Sequence, residues 1–187
     1  MRSFPEGGQD FQALADKACI EDGNTEAAMA LYAIPGQQPI EARHLVLDYN
    51  GSLATDGALI PGVAEGLREL ALPPYGLCVH VVTADTNGTA RRQLEGLPCV
   101  VSILGPQAQD RAKLEYVQNL GAAWTVAVGN GYNDRLMLAE AALGIVVIGE
   151  EGAAVQTVLA SRVACRDMLS ALDLLRRPHR LAATLRC

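Results

Sequence analysis

The sequence is short of lysine, of aromatic residues and of long apolar runs. Among its 187 residues only Lys17 and Lys113 are lysines, aromatics make up 4%, and 15 basic residues against 21 acidic ones leave a net charge of −6. That balance offers no electrostatic footprint for nucleic acid or an anionic membrane surface. The longest nearly apolar stretch, Ala141 to Gly149, is far below the roughly 18–20 residues needed to cross a bilayer. The opening MRSFPEGGQDFQ lacks the apolar core of a signal peptide. A cytoplasmic protein follows as the expectation, with small molecules or proteins as partners. The cysteines, Cys19, Cys78, Cys99, Cys165 and Cys187, are odd in number and widely spaced. They suggest neither a disulfide framework nor a zinc cluster and are expected as reduced thiols. His44, His80 and His179 show no metal-ligand spacing.

The length fits one domain with a short appendage. From residue 44 onward, β-branched apolar runs alternate with segments of helical period, which predicts an α/β fold: a parallel sheet with helices on both faces, three layers of Rossmann-like type. Strands are expected at 44–48, 76–83, 99–104, 124–128, 144–148 and 162–165. Helices are expected at 61–70, 86–94, 110–120, 133–141, 153–159 and 166–176, with Pro61 suited to a first turn. Residues 31–34 and 40–47 predict a hairpin, over 31–43, that leads into the core sheet of a 31–187 domain. Residues 1–30 form an N-terminal extension, either a helical arm or a tail, and Met29 offers an alternative start.

In an open parallel sheet, ligands sit beyond the carboxyl ends of the strands, so polar residues there are the candidates for chemistry. Asp48 leaves an apolar strand in LVLDYNGSLATDG and is followed by Asn50, Gly51 and Ser52. A carboxylate there, with turn N–H groups behind it, suits binding of a phosphoryl group. Thr83 ends the next strand in VVTADTNG, with Asp85 as a brace. Lys113 lies early in a helix facing the strand tips. In VAVGNGYNDRLML a strand ends at Gly129-Asn130-Gly131, and Asn133-Asp134 opens a helix. Asp134 there is a helix cap or a metal ligand. Each alone also reads as an ordinary turn, cap or surface residue.

Taken in order, aspartate, threonine, lysine and Asn-Asp at successive strand ends resemble the four signature motifs of the haloacid dehalogenase superfamily, mostly magnesium-dependent phosphatases working through an aspartyl-phosphate. The resemblance covers residues 44 to about 150. Thr83-Ala84-Asp85, GNGYNDRLML and the tail ALDLLRRPHRLAATLRC further resemble P-type ATPase phosphorylation domains and their small soluble relatives. Asp48 and Thr83 are 35 residues apart and Thr83 and Lys113 are 30 apart. Neither gap holds a nucleotide-binding or cap domain, which leaves a small flap at 53–60 and excludes ion pumping. The site is therefore expected to be open, implying a bulky phosphorylated substrate, small molecule or protein, or closure by a neighbouring subunit of a homo-oligomer. Tyr49, Tyr132 and flap residues such as Leu59 are candidate contacts for either, with ordinary packing a reading of at least equal weight.

The resemblance implies that Asp48 attacks phosphorus, that Mg²⁺ is held by Asp48, the Asn50 carbonyl and Asp134, that Thr83 and Lys113 bind phosphoryl oxygens, and that Asn133 orients its neighbours. Two positions depart from it. Asn50 stands where the phosphatases carry their general acid–base, and Asn130 where the fourth motif often has aspartate. A phosphohydrolase with slow turnover is expected. The alternative is a regulatory or binding module that accepts phosphate on Asp48 without efficient turnover. Dinucleotide binding at Gly129-Asn130-Gly131 is a third reading, weakened because Asp134 replaces the last glycine of G-x-G-x-x-G.

Overall fold

The chain is described as a computed structural model over residues 29–85 and 88–187; the extension expected over 1–30 falls almost wholly outside them. Strands are β1 (Ala30–Tyr32), β2 (Ile40–Ala42), β3 (His44–Leu47), β4 (Ala54–Thr55), β5 (Ala58–Leu59), β6 (Cys78–Thr83), β7 (Val100–Ile103), β8 (Thr125–Gly129), β9 (Leu143–Val147) and β10 (Val163–Cys165). Helices are α1 (Val63–Ala71), α2 (Thr89–Gln93), α3 (Gln109–Leu120), α4 (Arg135–Glu140), α5 (Val155–Ala160), α6 (Met168–Arg176) and α7 (Pro178–Leu185). Six strands form one sheet in the order β10-β9-β8-β3-β6-β7, and all its pairings are parallel.

Because side chains alternate along a strand, a sheet covered on both faces needs apolar residues at every position. Leu45, Leu47, Val126, Val128 and Ile145 point to one side, where they pack with Leu67 and Leu70 of α1 and Leu172 and Leu175 of α6. Val46, Val82, Ala127 and Val146 point to the other, against Val117 and Leu120 of α3 and Met137 and Leu138 of α4. The expected three layers are thus present. Among the described residues no helix is long and apolar enough to cross a membrane.

Local chemistry moves several expected boundaries. The run 40–47 is two strands, not one: Arg43 breaks it, its N–H donating to Trp124 O at 2.9 Å while its guanidinium lies 4.8 Å from the Trp124 ring centroid. β1 and β2 form the predicted hairpin as a separate antiparallel pair. Pro61 is outside the helix it was expected to open, because Gly62 at φ 90° takes a left-handed conformation and α1 starts only at Val63. Asp56 and Gly57, at φ 52° and 78°, make the tight turn of the β4–β5 flap, the geometry an Asp-Gly pair favours. α7, with Pro178 in its first turn, was not anticipated as an element. Cys78 is disulfide-bonded, contrary to the expectation of reduced thiols throughout, while Cys165 and Cys187 keep free thiols.

β9 passes so close to α4 that a Cβ added at Gly144 would lie 2.0 Å from Leu138 O. That atom belongs to the backbone and has nowhere to move. Gly144→Ala is expected to destabilise the protein by about 3 kcal/mol, as overpacking of a dense core does. Urea unfolding of the variant checks this, and an unchanged midpoint would contradict the packing described.

Topology fixes where a ligand can go. The chain runs from β3 outward to β6 and β7, then crosses back to β8 on the other side of β3. The carboxyl ends of β3 and β8 therefore border the crevice where the strand order reverses.

Candidate active site

Asp48 follows β3 directly, and its N–H donates to Val128 O at 3.0 Å, fixing its backbone to β8. Its side chain meets Lys113, which α3 delivers to the strand tips as the sequence suggested. The Lys113 ammonium is 1% exposed; it donates to Asp48 Oδ1 at 2.5 Å and to Asp134 Oδ1 at 2.6 Å. Asp134 is fully buried. Its Oδ2 accepts the N–H groups of Asn130 at 3.0 Å and Gly131 at 2.9 Å. Gly129 makes this possible, since a Cβ there would stand 2.5 Å from Asp134 Cγ. The turn N–H groups that a pyrophosphate would need are thus taken by the protein's own carboxylate, which removes the support for dinucleotide binding.

Two carboxylates share one ammonium, so the cluster is one negative charge in excess when ionised. Burial, and then the charge of Asp134, raise the Asp48 pKa to about 7, against the opposing pull of Lys113. Burial disfavours the Lys113 charge, but Asp48 and Asp134 more than offset it and hold its pKa above the usual lysine value.

Pairing of Leu47 with Val81 puts Thr83 one residue beyond the level of Asp48 on the neighbouring strand. Its buried hydroxyl accepts the Asp85 N–H at 3.2 Å, leaving the hydroxyl proton to be donated. Asp85 Oδ2 accepts the Ala90 N–H at 2.6 Å and pins the start of α2. Asn50 is exposed and its backbone bridges Ala54. Gly51, at φ 73°, must be glycine, because an added Cβ would lie 2.4 Å from Asn130 Nδ2. Asn130 ties three loops together, its Nδ2 donating to Gly152 O at 3.1 Å and its Oδ1 accepting from Ser52 Oγ at 3.3 Å. A carboxylate at 130 would lose that donor. Asn133 is turned toward α3, donating to Gln109 Oε1 at 3.0 Å.

The structure therefore joins Asp48, Lys113 and Asp134 by direct hydrogen bonds, sets Thr83 and Asp85 on the next strand tip and places Gly51 and Asn130 against each other. Of the two readings of Tyr49, packing holds: it is fully buried, with its hydroxyl donating to Gly57 O at 3.3 Å, and is no contact for substrate or neighbour. Tyr132 is 56% exposed. Between β3 and β6 the described residues hold only the flap and α1, and between β6 and β7 only α2, so no lid domain is present among the described residues.

Sequence spacing missed the support beneath Lys113. One turn further along α3, the Tyr116 hydroxyl meets His80 Nδ1 at 3.0 Å and receives a hydrogen bond from Ser102 Oγ at 3.1 Å. His80 Nε2 lies 3.2 Å from His44 Nδ1. This buried polar chain fastens α3 to β3, β6 and β7. Burial, reinforced by His44, holds His80 well below the usual histidine pKa, so it is neutral. The strand register pairs His44 with Cys78, a proximity that spacing along the chain does not show.

No family model matches the chain. An uncharacterized protein of Methanocaldococcus jannaschii is 52% identical over 61 residues, which are 33% of this chain and 66% of that protein, so the match spans just under two thirds of the relative. The solved 3-deoxy-D-manno-octulosonate 8-phosphate phosphatase of Moraxella catarrhalis, in complex with magnesium, phosphate and the sugar acid, superposes with a TM-score of 0.59 at 18% identity, over 76% of this chain and 90% of that one. The cobalt-bound phosphatase of Haemophilus influenzae gives 0.61 at 14% identity, over 76% and 91%. A Legionella pneumophila protein assigned to the haloacid dehalogenase superfamily, subfamily III A, gives 0.59 at 16% identity, over 77% and 87%. The chain has the haloacid dehalogenase fold. Within that fold, Asp48, Thr83, Lys113 and Asp134 stand at the carboxyl edge of the parallel sheet.

Proposed function

We propose that this chain is a phosphohydrolase that uses a divalent cation, with Asp48 as nucleophile. The observation that carries the reading is the buried Lys113 bridging Asp48 and Asp134 at the strand-order reversal. A carboxylate held there, with an ammonium on one oxygen and a hydroxyl on the neighbouring strand, is equipped to attack phosphorus. Lys113 and the Thr83 hydroxyl face negative charge on the transferred group, and phosphoryl transfer depends mainly on such positioning and neutralisation. Attack forms a bond from an Asp48 oxygen to phosphorus as the ester oxygen departs, giving an aspartyl-phosphate. Water then releases inorganic phosphate.

The donors fit a hard cation. Asp48, the Asn50 carbonyl and Asp134 offer only oxygen, and Asp134 Oδ1 keeps a lone pair beyond its bond to Lys113. Burial first, and then the Asp134 charge, raise the Asp48 pKa, and the negative charge in excess over Lys113 favours a further cation in place of a proton. When bound, Mg²⁺ would neutralise phosphate charge next to the nucleophile.

Departure of the ester oxygen and activation of water both call for a proton shuttle. Asn50, two residues beyond the nucleophile, has none to give, so the reading includes slow hydrolysis of the phospho-enzyme. It is also the one feature that favours the alternative, a module that is phosphorylated and stays so. With no lid among the described residues, phosphorylated substrates are open in size, from small esters to phosphoproteins.

The test is phosphate release from p-nitrophenyl phosphate and acetyl phosphate with Mg²⁺. Multiple turnover is expected from the native chain and none from Asp48→Ala. Release that survives Asp48→Ala would overturn the assignment, and a single stoichiometric burst would favour the phosphate-accepting module.

A further inference from the structure

The site has an amide at both places where an additional acid would be expected, yet a third carboxylate approaches the turn that follows the nucleophile. Glu151 belongs to the loop after β9, about a hundred positions along the chain from Asp48. That loop folds back onto the turn following the nucleophile. Ala154 N–H donates to Asn130 O at 3.0 Å, and Asn130 Nδ2 donates to Gly152 O at 3.1 Å. As a result, a Cβ added to Gly51 would lie 2.8 Å from Glu151 Oε2 and 2.4 Å from Asn130 Nδ2. The carboxylate thus stands next to Gly51, three positions beyond Asp48.

Nothing structural accounts for Glu151. It is exposed, and among the described residues it makes no hydrogen bond or ion pair. It caps no helix, since α5 begins at Val155 with Ala154 before it. We infer that Glu151 is a positioning residue for the divalent cation, supplying from the β9 loop the negative charge that Asn50 and Asn130 lack. This inference rests on the phosphohydrolase reading of the same pocket. The chemistry is that of a hydrated hard cation: Mg²⁺ keeps several waters, and a nearby carboxylate accepts hydrogen bonds from them and adds attraction without displacing them. Asn130 cannot do this, because its amide is committed to Ser52 and Gly152.

Calorimetric titration of the full chain with Mn²⁺ tests it, in the native protein, Glu151→Gln and Asp48→Asn, with metal-free thermal unfolding to confirm that all are folded. Glu151→Gln is expected to weaken Mn²⁺ binding roughly tenfold at low salt, as loss of an outer carboxylate does. The difference should shrink at high salt, because the charge is exposed; a merely structural role would not show that salt dependence. If Glu151→Gln binds as tightly as the native chain while Asp48→Asn does not bind, the inference fails and the phosphohydrolase reading stands. If the native chain binds no Mn²⁺, both fail.

Discussion

Replacing Asn50 by Asp raises multiple-turnover phosphate release by about 10²–10⁴-fold, the range a positioned general acid–base contributes. The side chain is exposed and its backbone is already held by the bridge to Ala54. The substitution therefore adds a titratable group without disturbing packing. Aspartate there can protonate the departing oxygen in the first step and take a proton from water in the second. The gain should fall mainly on phospho-enzyme hydrolysis, so the native burst, if present, gives way to linear release. Rapid-quench kinetics of the two proteins checks this. An unchanged rate would place the bottleneck in substrate choice or geometry, and not in the missing proton shuttle.

Replacing Lys113 by Met removes hydrolysis and destabilises the fold in a pH-dependent way. The ammonium neutralises developing charge on the phosphoryl group, and loss of one such donor costs about 10²–10³ in rate. It also separates two buried carboxylates, and removing one partner of a buried ion cluster costs about 3–5 kcal/mol. Asp48 is already raised from 3.8 to about 7, and without Lys113 its pKa rises further. A carboxyl group whose folded pKa exceeds its unfolded one binds more protons folded than unfolded between those values. Stability is then lost as pH rises through that window. The destabilisation should thus be small at pH 5 and large at pH 8 by urea unfolding. Equal losses at both would assign the effect to the packing of the lysine stem and not to charge.

Much of this was legible in the sequence, for physical reasons. The core strands were readable because a doubly covered parallel sheet demands unbroken apolar runs, and 44–47 and 143–147 supply them. Asp48 and Thr83 were readable because each ends an apolar strand, Asp134 because it opens a helix after a glycine turn, and Lys113 because lysine is otherwise nearly absent and this one sits early in a helix that faces the strand tips. Tyr49 was open between contact and packing, and it packs because it continues the alternation of Leu45 and Leu47 into the same core. The pattern of α1 gave no sign of its start at Val63, because the delay comes from the left-handed conformation of Gly62. Glu151 left no trace in sequence, because its place beside Gly51 depends on a loop folding back across the sheet edge. The commitment of Asn133 to Gln109, and not to the reacting centre, likewise depends on side-chain direction that spacing does not give.

The account stands on Asp48 as the atom donor to phosphorus. The direct measurement is mass spectrometry of the full chain, acid-quenched shortly after mixing with acetyl phosphate and Mg²⁺, with the modified residue located by peptide fragmentation. The expected result is one phosphoryl group per chain, on Asp48, that decays slowly in the native protein and faster in Asn50→Asp. Phosphate released with no phosphoryl group ever found on Asp48, or a phosphoryl group found on another residue, would contradict it.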